Sequence, residues 1–302
     1  MRTQLTPRGS GTLALDRSRA MDYISLTKPE LTILSVLTAL AGYYMGAGGV
    51  LEGAGLIHTL LGTAMVGGGS GALNQYIERR YDAQMKRTEN RPLPSGRIAP
   101  REALLFGLLL SCGGIVYLAA CVNMLTALLA AVTCVTYLSL YTPLKRLTPL
   151  ATLIGAIPGA LPPVMGWTAA TNEINSGAVI LFGILFFWQM PHFLSLAWMY
   201  RKDYARAGYR LLAVLDTGGR RSATQAILHT CLLIPVSLLL VRWGGSGMIY
   251  GVSAAILGFS FLMFAILLLL RRTSVAARRL FFASLMYLPA LMLAMVLDRV
   301  LR

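Results

Sequence analysis

The sequence predicts an all-α, polytopic membrane protein of about nine transmembrane helices. Three observations carry that prediction. The first is poverty in charge: of 302 residues, 56% are hydrophobic and 13% charged, with a mean hydropathy of +0.64. A soluble domain is usually about 25% charged. The second is the recurrence of long apolar runs, near 31–50, 56–76, 103–121, 124–142, 151–170, 177–197, 224–242, 248–270 and 280–297. The third is the placement of the basic residues. They fall at Arg2, Arg8, Arg17, Arg19 and Lys28, at 79–101, at Lys145 and Arg146, at 201–221 and at 271–279. The intervening stretches 51–55, 122–123 and 171–176 contain neither Lys nor Arg. This positive-inside alternation puts the N-terminus in the cytoplasm and, with an odd number of spans, the C-terminus outside. The net charge of +15 is therefore topogenic. No folded soluble domain exists to present a basic face to nucleic acid, so a nucleic-acid partner is excluded.

Residues 1–22 are basic with Ser and Thr and are expected to be a disordered cytoplasmic tail. An organellar presequence is the alternative, and the segment lacks the features of a cleavable signal peptide. A single membrane domain is expected over 23–302. The second span contains Gly67-Gly68-Gly69-Ser70-Gly71. A phosphate-binding P-loop would need Lys-Ser/Thr after its last Gly, so this run is not one. Its small residues allow close helix packing, and they also leave room for a bulky ligand beside Asn74. The four cysteines, Cys112, Cys121, Cys134 and Cys231, lie in or at the ends of apolar spans without metal spacing, as small buried hydrophobes.

Where the second span runs out into water the chain reads Asn74-Gln75-Tyr76-Ile77-Glu78-Arg79-Arg80-Tyr81-Asp82. Asn74, Glu78 and Asp82 recur at i, i+4 and i+8. A helix would set them along one face, about 6 Å apart along its axis. Oxygen donors at that spacing suit Mg²⁺, which takes one or two carboxylates and fills its other positions with water and phosphate oxygens. Arg87 and Arg91 follow and are placed to hold the same phosphates. Lys145 falls at the same predicted membrane face, as a diphosphate ligand or as a topogenic charge. The fifth span carries Gly155, Pro158, Gly159, Pro162 and Pro163, which predicts broken backbone lining a cavity. The sixth ends Trp188-Gln189-Met190-Pro191-His192-Phe193. Gln189 and His192 are polar at membrane depth, where such residues contact substrate or bond a neighbouring helix. Asp203, in the next polar loop, is the candidate second metal ligand opposite Asp82. His58 and His229 read as interfacial residues. The aromatics around these motifs form an interfacial belt or face an allylic cation.

The run Asn74-x-x-x-Glu78-x-x-x-Asp82-x-x-Met85-x-Arg87-Thr88-x-x-Arg91-Pro92-Leu93 resembles the UbiA superfamily of intramembrane prenyltransferases. Three further stretches narrow the resemblance to its heme-farnesylating branch. They are Leu26-Thr27-Lys28-Pro29, Tyr141-Thr142-Pro143-Leu144-Lys145-Arg146 with its continuation to Gly166-Trp167, and Trp188 to Phe193. The resemblance runs from about residue 22 to the last span. It implies a helix bundle around a central cavity open to membrane lipid, in a bacterial inner membrane, with the active site toward the cytoplasm. It implies farnesyl diphosphate and heme B as substrates, Mg²⁺ as cofactor and heme O as product. Heme A synthase or terminal oxidase assembly would be partners downstream. By position, Asn74, Glu78 and Asp82 would hold one Mg²⁺–diphosphate face and Asp203 the other. Arg87, Lys145 and Lys202 would neutralise the leaving diphosphate. The chain departs from the family pattern at Glu78, often Asp, and in the second loop, Arg201-Lys202-Asp203-Tyr204, which usually holds paired acids. A prenyltransferase acting on 4-hydroxybenzoate or a chlorin is the nearest rival. A heme or lipid transporter and a non-catalytic assembly factor are the more distant ones.

Overall fold

The structure is a computed structural model that describes residues 11–51 and 53–301, with side chains described from residue 19 onward. Every regular element among the described residues is helical. In chain order these are α1 (Gly11–Leu26), α2 (Pro29–Gly46), α3 (Gly53–Asp82), α4 (Pro100–Cys121) and α5 (Met124–Val135). A π-helical turn (Thr136–Tyr141) and α6 (Thr142–Leu144) continue α5. Then come α7 (Ala151–Thr171), α8 (Ser176–Met199), α9 (Arg201–Arg206), α10 (Leu212–Leu215), α11 (Arg220–Trp243), α12 (Met248–Arg271) and α13 (Ser274–Val300). Eight helices among the described residues are long and apolar enough to cross a membrane, and the bent pair Arg19–Leu26 and Pro29–Gly46 brings the number to nine if it is one span.

The expected tail behaves differently from a disordered segment where it is described. Residues 1–10 lie outside the described residues. Gly11–Leu26 is helical, and its end is tied to the loop after α3 and to α4. Arg97 Nε bonds Asp22 Oδ1 at 2.9 Å, and Arg19 Nη2 bonds Glu102 Oε1 at 2.9 Å. The chain then turns by 52° into α2. Lys28 takes the turn in left-handed conformation, φ 49°, and Pro29 opens α2, where its missing N–H costs nothing.

The spans pack as neighbours through small residues. A Cβ on Gly69 would stand 2.3 Å from Ser111 Oγ and 2.8 Å from the Gly107 carbonyl oxygen, so only glycine lets α3 lie this close to α4. Helix α2 lies against α7, α7 against α8, and α8 against α11 and α13. The outer faces carry exposed Leu105, Leu109, Val116, Met263, Leu270 and Met286, as surfaces facing lipid do.

The backbone expected to be broken in the fifth span is not. Helix α7 runs unbroken through Pro158, Pro162 and Pro163. Proline fixes φ near its helical value, and packing between α2 and α8 holds the segment although donors are missing. The irregular backbone lies elsewhere, at Leu26–Pro29 and in the π-helical turn. Both sit beside the end of α3.

Candidate active site

Helix α3 is longer than the apolar run that predicted it. It carries Asn74, Glu78 and Asp82 on one face to its last residue. All three are buried, at 0%, 6% and 1% exposure, which is costly for two carboxylates unless each is paired. Each is. Lys145 Nζ lies 2.5 Å from Glu78 Oε1, and Arg91 Nη1 lies 2.8 Å from Asp82 Oδ2. Lys28 Nζ donates to Asn74 Oδ1. Tyr209 OH donates to Glu78 Oε1 at 3.0 Å, and Asn74 Nδ2 donates to Thr142 Oγ1 at 2.8 Å.

The irregular backbone delivers these partners. The α1–α2 bend aims Lys28 at Asn74. The π-helical turn lets Thr142 Oγ1 donate back to the Tyr137 carbonyl at 2.8 Å, so that its oxygen still accepts from Asn74. It also sets Tyr137 OH 3.4 Å from Lys28 Nζ and Tyr141 beneath Lys145, whose Nζ is 4.6 Å from the ring centre. The loop after α9 is tied on by Arg210 N–H donating to the Lys145 carbonyl at 2.9 Å. Burial opposes the charge on Lys145, but the Glu78 carboxylate outweighs it and holds the ammonium well above its ordinary value. Burial and then the same carboxylate raise the Tyr209 hydroxyl, which remains a donor.

Three cations thus face two carboxylates and an amide in one buried cluster. The surplus positive charge suits an anion, and the fork of Arg91 and the point charge of lysine both bind phosphate oxygens. Among the described residues no three His, Cys, Asp or Glu side chains form a metal cage. An all-protein cage is what Mg²⁺ does without, because it keeps waters and phosphate oxygens among its ligands.

The cluster opens onto an apolar cavity walled by α2, α3, the π-helical turn, α7 and α8, with Lys28 and Tyr137 at the join. The glycine run serves both readings made from sequence. Gly68 and Gly69 face the packed helices, while Gly67 and Gly71 line the cavity. Gln189 and His192 line it too. Gln189 Nε2 donates to the Ala156 carbonyl at 2.8 Å, and a Cβ on Gly159 would lie 2.2 Å from Gln189 Oε1. Gly159 therefore seats the amide.

The other sequence candidates stand apart from the cluster. Arg87 is exposed, and its Nη2 reaches Tyr204 OH at 3.3 Å. Lys202 is exposed. Asp203 pairs with Arg206 on its own turn, at 3.0 Å. Four members of the cluster had no site role from sequence: Lys28, Thr142, Tyr137 and Tyr209. The first three lie in motifs or aromatic groups already noticed. Tyr209 carries no local signal, since only the folded loop brings it to Glu78.

A bundle of this kind, with a phosphate-type site at one end and an apolar cavity beneath, defines a class of intramembrane enzyme. The profile of the UbiA prenyltransferase family matches residues 35–288, and the chain belongs to that family. Among its relatives, the protoheme IX farnesyltransferase of Salinibacter ruber is 50% identical over 277 residues, covering 92% of this chain and 98% of that protein. That of Solibacter usitatus is 45% identical over 287 residues, with 92% and 98% covered. The mitochondrial protoheme IX farnesyltransferase of Arabidopsis thaliana is 37% identical, covering 98% of this chain and 69% of that one. The fold is also that of solved structures. A digeranylgeranylglyceryl phosphate synthase superposes with TM-score 0.79 at 18% identity, covering 94% of this chain and 100% of that one. A UbiA homolog from Archaeoglobus fulgidus bound to DMAPP and Mg²⁺ gives 0.63 at 16%, with 91% and 99% covered.

Proposed function

We propose that this protein transfers the farnesyl group of farnesyl diphosphate to a vinyl group of heme B, with addition of water, giving heme O and diphosphate. The observation that carries this reading is the buried cluster of Lys28, Lys145 and Arg91 against Asn74, Glu78 and Asp82, at the mouth of an apolar cavity. The substrates come from the printed activity of the relatives, and Mg²⁺ from the solved UbiA homolog that binds it with a prenyl diphosphate. Asn74, Glu78 and Asp82 present the oxygen donors that Mg²⁺ accepts. When bound, the metal would supply charge stabilisation to the departing diphosphate.

The chain's own residues do the rest. Lys28, Lys145 and Arg91 exchange their carboxylate and amide partners for diphosphate oxygens. They then stabilise the negative charge that grows as the C–O bond breaks. The cavity wall holds the farnesyl tail and limits water at the allylic cation. The terminal vinyl carbon bonds to farnesyl C1, which leaves a cation on the carbon next to the porphyrin. Water adds there and loses one proton, so the balance is farnesyl diphosphate, heme B and water to heme O, diphosphate and a proton. The basic loops 79–101 and 201–221 support a reading in which the cluster would face the cytoplasm from a bacterial inner membrane. Heme O would pass to a heme A synthase or a terminal oxidase. Lys202 would guide the incoming diphosphate, and Asp203 would be available to a second Mg²⁺. Arg87, exposed beside Tyr204, would steer it electrostatically.

The test uses purified protein in nanodiscs with heme B, farnesyl diphosphate and Mg²⁺, followed by extraction and mass spectrometry of the heme. Hydroxyethylfarnesyl heme is expected, and it should vanish with EDTA and in Asp82→Ala. Unmodified heme from a protein that still binds Mg²⁺–diphosphate would overturn heme as the acceptor.

A further inference from the structure

His192 takes no part in the cluster at the end of α3, yet its ring is held by two stacked aromatics and a hydrogen bond. Its ring is stacked between Trp188, with centroids 5.3 Å apart, and Phe281, 4.8 Å apart. Its Nδ1 lies 2.8 Å from Ser284 Oγ on α13. The hydroxyl proton of Ser284 is already committed, since Oγ donates to the Phe281 carbonyl at 2.5 Å. Ser284 therefore accepts, and Nδ1 carries the hydrogen. Both bonds are satisfied together by the tautomer with its hydrogen on Nδ1, which leaves Nε2 with a lone pair. Trp188 Nε1–H donates to the Ser284 carbonyl at 2.9 Å, so one residue of α13 anchors both rings.

Nδ1 points at α13, and Nε2 leaves the opposite side of the ring. His192 lines the apolar cavity, and among the described residues Nε2 has no hydrogen-bond partner. A neutral imidazole whose far nitrogen donates to a fixed acceptor is the arrangement found in metal-ligating histidines. A lone nitrogen donor in an apolar wall does not suit Mg²⁺, which takes oxygen and water. It suits the iron of a porphyrin, which brings its other four nitrogens with it.

We propose that His192 Nε2 is the axial ligand of the acceptor's porphyrin iron, with Ser284 as the positioning residue that sets its tautomer and ring plane. The proposal rests on the heme reading above. Ligation would fix the depth and tilt of the macrocycle in the cavity, and so which edge, with its vinyl group, faces the diphosphate end.

The experiment titrates heme B, without farnesyl diphosphate, into wild type, His192→Gly and Ser284→Ala in nanodiscs. Visible absorption and electron paramagnetic resonance are read, with Mg²⁺–diphosphate binding as the check on folding. Wild type should give a histidine-ligated spectrum. His192→Gly should lose it, and added imidazole should restore it. Ser284→Ala should bind heme about tenfold more weakly, as loss of an outer partner does at metal sites. Metal-free protoporphyrin IX should bind wild type more weakly than heme B. A wild-type spectrum in His192→Gly overturns the ligation and leaves the farnesyl-transfer reading standing. Equal binding of heme B and the metal-free porphyrin by wild type overturns it even where His192→Gly fails to fold. A wild-type protein that binds no heme overturns both.

Discussion

Helices α3 and α8 both carry polar side chains into the bundle, and they handle them in opposite ways. Helix α3 places two carboxylates in its last two turns, where cations reach them from the loop after α3 and the loop after α6, while Lys28 at the α1–α2 bend bonds Asn74 one turn earlier. Helix α8 places Gln189 and His192 one turn apart on the cavity wall, each held by one bond to another helix. Buried charge needs several partners converging on it, and the polar loops that supply them exist only at the end of the bundle. A neutral amide or imidazole needs one or two bonds and can sit deeper. The comparison matches the two tasks proposed above: the end of α3 would manage the charge of a leaving diphosphate, and the Gln189–His192 turn of α8 would position an acceptor in an apolar space.

Substitutions should break the two regions in different ways. The largest effect is expected for Asp82→Ala, which removes a proposed metal ligand and releases Arg91. Its kcat for heme farnesylation should fall by about 10²–10³-fold or more, with heme binding retained, as read by product mass and heme absorption. Next is Lys145→Met, which leaves Glu78 buried without its ion-pair partner. Unfolding in detergent should show a loss of about 3 kcal/mol. Adding Glu78→Gln should recover most of that stability and none of the activity. A smaller effect is expected for Gly159→Ala, because the new Cβ would meet Gln189 Oε1 at 2.2 Å. The amide must move, and heme should bind about tenfold more weakly while Mg²⁺–diphosphate binding is unchanged, a cost of about 1.4 kcal/mol. The smallest effect belongs to Asp203→Asn. Its partly exposed pair with Arg206 is worth about 1 kcal/mol or less, and steady-state rates should stay within about fivefold of wild type.

The spans and the acidic face of α3 were legible because both are local. Apolar run length sets a span, and the i, i+4, i+8 spacing of Asn74, Glu78 and Asp82 needs only a helix to align them. Partners contributed by distant segments were not legible. Lys28 reads as one more topogenic charge until the bend at Leu26–Pro29 turns it toward Asn74. Tyr209 joins Glu78 across 131 residues through an irregular loop. The error over α7 has the same origin: three prolines argue locally for a break, and tertiary packing against α2 and α8 overrides them. Asp203, proposed above for a second Mg²⁺, pairs with Arg206 three residues on, a local partner that sequence spacing alone makes available.

The most direct measurement of this division of labour is a pair of calorimetric titrations, Mg²⁺ with inorganic diphosphate and, separately, heme B, on wild type, Asp82→Ala and Gly159→Ala. The account predicts that Asp82→Ala loses diphosphate binding and keeps heme, and that Gly159→Ala weakens heme and keeps diphosphate. If both variants lose both ligands while still folded, or if the losses are exchanged, the separation of charge handling on α3 from acceptor placement on α8 is contradicted.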